Sequence, residues 1–85
     1  MPEISRFYGI VIKIFFGNEH NPPHIHAVYG EYIGSINIET GELITGDLPP
    51  RAAKLIKEWI NQNNNKQLLL EIWNTQKLKK IPPLK

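Results

Sequence analysis

Apolar and polar positions alternate with a period of two through the first half of the chain and change to helical spacing after residue 47. In residues 7–16, FYGIVIKIFF, Ile10, Ile12, Ile14 and Phe16 share one face, and the β-branched and aromatic content predicts one long strand. Val11 and Phe15 make its other face apolar as well, so this strand is expected to be central or covered on both sides, with Lys13 reaching out at an edge. Residues 17–23, GNEHNPP, carry Gly, two Asn and two Pro and predict a stiff loop, with Asn21 pushed toward extended backbone by Pro22. Residues 24–29 (HIHAVY) resume strand character. Gly30 and Glu31 suit a two-residue hairpin turn, and residues 32–38 return antiparallel with Ile36 and Ile38 on one face. A second turn at residues 39–42 leads into a short strand at 43–45, ended by Gly46.

Beyond Asp47 and Leu48 the spacing of Ala52, Leu55, Ile56, Trp59 and Ile60 predicts a helix over residues 50–61, and Pro49 and Pro50 suit its first turn, where a missing amide donor costs nothing. The asparagine-rich run 61–65 predicts a break, because Asn prefers turns and caps to helix interiors. A second helix is expected over residues 66–78. Leu69, Ile72 and Trp73 form its buried stripe, Leu68 and Leu70 broaden it, and Lys77, Lys79 and Lys80 favour its C-terminal end. Trp59 and Trp73 are both expected in the core. Strands followed by helices predict an α+β fold: an antiparallel meander of about four strands, then two helices packed on one sheet face. Residues 1–80 form the single domain in this reading, and residues 81–85 an extended, mobile tail.

Length and composition narrow the chemistry. Eighty-five residues with 41% hydrophobic content build one core, so a deep pocket is not expected. The absence of cysteine excludes disulfides, thiolate zinc sites and cysteine nucleophiles, leaving His, Asp and Glu as metal ligands. The apolar run near the start is interrupted by Lys13 and has no small-residue cleavage site. Neither a signal peptide nor a spanning helix is therefore expected, no membrane contact, and a cytoplasmic location. A net charge of +2 permits contact with nucleic acid or an acidic partner without demanding it.

All three histidines, His20, His24 and His26, fall within seven positions. If Ile25 lies in a strand, His24 and His26 project to one face while Ile25 points into the core. His20 from the proline-stiffened loop can add a third nitrogen, giving an open three-histidine site of the kind that holds catalytic zinc, with Glu19, Glu31 or Asp47 to complete it. Without metal, one neutral imidazole and one imidazolium can act as base and acid, as cleavage of RNA through its own 2′-hydroxyl requires. Paired histidines on a solvated sheet face are also tolerated as ordinary surface residues, and imidazole bonds to backbone carbonyls can simply shape the loop. Arg6, beside Phe7 and Tyr8, is a candidate for phosphate contact and base stacking, close to the histidines if the first two strands pair; the two rings are otherwise packing residues. Arg51, Lys54 and Lys57, with Lys77, Lys79 and Lys80, form either an electrostatic footprint for nucleic acid or an acidic partner, or a solvated face. No glycine-rich phosphate loop, Ser-His-Asp order or zinc-protease helix motif occurs.

The strings PEISRFYGIVIKIFF (residues 2–16), EHNPPHIHAVYGEY (19–32) and TGELITGDLPPRA (40–52), with the Trp59 helix, resemble a small bacterial family known as domain of unknown function 4160. His20, Asn21, Pro22, Pro23, His24 and His26 match its Asn-Pro-Pro-His-x-His string, whereas the run 61–65 is peculiar to this chain. The resemblance carries over no catalytic residue. It implies a protein encoded beside another small protein, an arrangement suggestive of toxin–antitoxin or other paired modules. Two functions are therefore expected in competition. The first is a small cytoplasmic binding or regulatory module that contacts a partner protein or RNA through its histidine-rich face. The second is a small ribonuclease or metal-dependent hydrolase with His24, His26 and Arg6 as catalytic groups, or with His20, His24 and His26 holding a divalent metal such as zinc. An open sheet edge also allows a homodimer or an added partner strand.

Overall fold

The computed structural model describes residues 2–15 and 22–84. Five strands, β1 (Glu3–Phe7), β2 (Ile10–Lys13), β3 (His24–Tyr29), β4 (Tyr32–Asn37) and β5 (Leu43–Gly46), precede two helices, α1 (Pro50–Asn61) and α2 (Asn65–Thr75). Every strand pairs antiparallel with its neighbour in sequence, giving the order β1-β2-β3-β4-β5.

The expected α+β meander is present, but with five strands rather than about four. The apolar segment at residues 7–16 is not one strand: Tyr8 (φ 49°) and Gly9 (φ 80°) reverse the chain, and residues 3–7 fold back as β1. Two successive positive φ values are what a tight hairpin turn needs to match strand twist. Gly9 adopts its value freely, whereas left-handed backbone at Tyr8 costs about 1–2 kcal/mol.

One sheet face supplies Ile10, Ile12, Ile14, Ile25, Ala27, Ile36 and Ile38 to the core, and the helices cover it with Ala52, Ile56, Trp59, Ile60, Leu69 and Ile72. Trp59 is fully buried as expected, with its ring centroid 5.4 Å from that of Phe7. Trp73 is only partly buried at the margin of this cluster. At the first residue of α2, Asn65 is buried and its Nδ2 donates to the Trp59 carbonyl at 2.7 Å, so one member of the asparagine run closes the end of α1 from inside the fold.

Two boundaries differ from expectation. α2 stops at Thr75, whose hydroxyl bonds back to the Glu71 carbonyl, while Gln76 turns left-handed (φ 59°) and donates to Ile72. Lys77, Lys79 and Lys80 therefore follow the helix instead of occupying its last turn. The extended segment after residue 80 is docked: Ile81 is buried, its N–H donates to the Ile4 carbonyl at 3.1 Å, and the Pro82 carbonyl accepts from Trp59 Nε1 at 2.9 Å. Among the described residues, no helix is long and apolar enough to cross a membrane.

Candidate binding face

Strand periodicity fixes where the histidines point. Ile25 and Ala27 enter the core, so His24, His26 and Val28 take the opposite face of β3. The register extends His26 into a polar row across all five strands: Glu3 opposite Lys13, Lys13 opposite His26, His26 opposite Ser35, and Ser35 opposite Thr45. Beside it runs an apolar row of Val11, Val28 and Ile33, and Ile33 is 60% exposed.

Aromatic contacts run across this face. The Phe15 and His26 centroids are 4.1 Å apart in an edge arrangement, His26 and His24 are 5.1 Å apart, and His24 and Trp73 are 5.0 Å apart. His24 is locally anchored as well. Its Nδ1 lies 2.8 Å from the Pro22 carbonyl, and since a carbonyl only accepts, Nδ1 carries the proton. Pro23 in turn accepts from the Ile38 N–H at 3.0 Å, tying the proline pair to the end of β4. Ser35 Oγ sits 3.5 Å from His26 Nδ1, a long and weak contact. The imidazole-to-carbonyl bond expected for a loop-shaping role thus coexists with a ring row on the outer face.

The other proposed site residues separate. Glu31 occupies the β3–β4 turn, at the far end of β3 from His24, and Asp47 is held near the same end by its N–H bond to the Ile33 carbonyl at 3.1 Å. Neither joins the histidines. His20 and Glu19 lie outside the described residues. Among the described residues, no group of three or more His, Asp or Glu side chains is placed to hold a metal; His24 and His26 are the two imidazoles that lie together.

Arg6 stands on β1, separated from the histidine strand by β2, and its guanidinium is taken up by Glu3 through Nη2 at 2.8 Å and Nε at 3.3 Å. The Arg6 hydrogen bond holds the Glu3 carboxyl below its ordinary range, and the same bond raises Arg6 further. On α1, Lys57 is similarly engaged by Glu42 at 2.7 Å. Trp73 is the face residue that sequence reasoning missed: its place on an apolar helical stripe reads as core, and only the approach of α2 to the start of β3 brings it to His24.

Fold and face define a small α+β protein that buries one side of its sheet under helices and presents polar and apolar rows with a line of rings on the other. The chain belongs to the family described as a domain of unknown function (DUF4160), whose model matches residues 9–74, from the turn before β2 to the last turn of α2. Neither a curated protein nor a solved structure matches it.

Proposed function

We propose that the protein is a small cytoplasmic binding module, one component of a paired, toxin–antitoxin-like system, which contacts the small protein encoded beside it through the sheet face bearing His24 and His26. What carries this reading is the line of rings Phe15, His26, His24 and Trp73 set beside the row Lys13, His26, Ser35 and Thr45. Aromatic and apolar groups with a polar margin, held on a rigid sheet, have the composition of a contact surface. Lys13 and the imidazoles suit a partner that offers carboxylates among apolar side chains.

The test is co-expression with the neighbouring gene product, followed by measurement of the dissociation constant. A stable complex weakened at least about tenfold by His24→Ala/His26→Ala, with the variant's Tm changed little, supports the module. A complex of unchanged affinity in that variant contradicts it.

One observation favours a second reading, a ribonuclease: the two imidazoles lie 5.1 Å apart, close enough to share an acid–base task on RNA. In that case His24→Ala abolishes RNA cleavage while leaving partner affinity intact. Zinc titration of the chelator-treated, tag-free protein and of the double variant tests the metal-dependent form, which requires stoichiometric binding that the variant loses.

A further inference from the structure

At the end of the sheet away from His24, the Tyr8–Gly9 turn, the end of β3 and the first turn of α1 enclose a pocket of about 230 Å³ lined by Tyr8, Tyr29, Arg51, Ala52 and Leu55. That is below the roughly 300–1,000 Å³ of pockets for drug-sized ligands and suits a single planar ring group. Three observations bear on what it could hold.

Tyr8 is the first. It adopts left-handed backbone, where Asn or Gly is the favoured choice, and its side chain is 60% exposed, so burial does not repay the strain. Second, Tyr29 is fixed: its ring packs against the core, and a Cβ at Gly9 would meet its Cε1 at 3.4 Å. The turn is thereby seated on one ring while presenting another. Third, Arg51 is exposed and, among the described residues, is in no salt bridge, unlike Arg6 and Lys57, whose charges are taken up by Glu3 and Glu42. Two aromatic rings and an available guanidinium around a ring-sized pocket recognise a planar ring that carries an anion.

We infer that Tyr8, Tyr29 and Arg51 form a site for one nucleotide unit, its base against the tyrosine rings and its phosphate on the guanidinium. The unit comes either from a free nucleoside monophosphate or from single-stranded RNA. This site is distinct from the histidine face and stands whether or not that face binds a partner protein.

The strain at Tyr8 makes the test selective. Tyr8→Asn keeps a residue that tolerates left-handed backbone, so the variant is expected to fold with an equal or higher Tm while losing the stacking ring. Binding of a fluorescein-labelled RNA octamer of mixed sequence is measured by anisotropy, and binding of each of the four nucleoside monophosphates by nitrogen-15 NMR titration read at Gly9, Tyr29 and Ala52. The expected result is saturable binding weakened at least about tenfold by Tyr8→Asn and by Arg51→Gln, with the fold intact. An octamer that binds more tightly than the monophosphates identifies RNA as the source; equal affinity identifies the free nucleotide. Absence of binding by both probes, or binding that survives both substitutions, overturns the inference.

Discussion

Single residues carry the least redundant parts of this fold. Asn65 is buried with its amide donating to the Trp59 carbonyl near the end of α1, which also accepts from the Gln62 N–H, so Asn65→Ala removes one of that carbonyl's two donors. The expected cost is about 0.5–1.5 kcal/mol, read as a lowered Tm in thermal unfolding. Ser5 is the opposite case: its Oγ is buried with no hydrogen-bond partner, so Ser5→Ala should leave stability unchanged or raise it. Glu3 links stability to pH. The hydrogen bond from Arg6 holds its carboxyl below the ordinary carboxylate range, so its contribution is present above that range and is lost as pH falls through the lower folded value. Because the pair is at the surface the contribution is small. It is read by comparing the fall in Tm between about pH 5 and pH 3 in the wild type and in Glu3→Gln, which should fall less over that window. Residue pairings of this kind were poorly legible in the sequence. The period of two placed His24 and His26 on one face, but the same period would put Glu3 and Arg6 on opposite faces, and it is the register irregularity between Glu3 and Ser5 that brings them together, while the Trp73 contact with His24 depends on how the chain closes.

At the level of elements, the helical and strand periods were legible where one face alone is apolar. α1 spans the expected residues because Ala52, Ile56, Trp59 and Ile60 leave no competing pattern. The first hairpin was hidden because residues 7–16 are apolar on both faces and because a Tyr-Gly pair is a poor turn signal; the reversal at Tyr8 is decided by the packing of β1, not by local preference. The C-terminal segment was hidden for a related reason, since its two prolines and terminal lysine read as an extended tail while Ile81, Leu84 and the Pro82 carbonyl do the anchoring. Removal of residues 81–85 takes away the burial of Ile81, its N–H bond to the Ile4 carbonyl of β1, and the Pro82 carbonyl that accepts from Trp59. A loss of roughly 2 kcal/mol or more follows, a fall of about 8 °C or more in Tm for a domain of this size. A truncated protein with the wild-type Tm would show that the docked segment contributes nothing.

Across the whole molecule, the two sheet faces divide the work. One is filled with isoleucines and sealed by helices; the other carries histidines, rings, Lys13 and exposed Ile33. The edges differ as well, since the C-terminal segment bonds to β1 whereas all four residues of β5 are exposed. Self-association through β5 would appear as a concentration-dependent mass in sedimentation, removed by a proline at Ile44 if the edge is the contact. The division between faces is what the binding-module reading rests on, and it is tested most directly by a nitrogen-15 NMR titration with the neighbouring gene product. Shifts centred on Val11, Lys13, His24, His26 and Ser35 are the expected result. Shifts confined to the outer surface of α1, around Lys54 and Glu58, with the histidine strand unmoved, would contradict it.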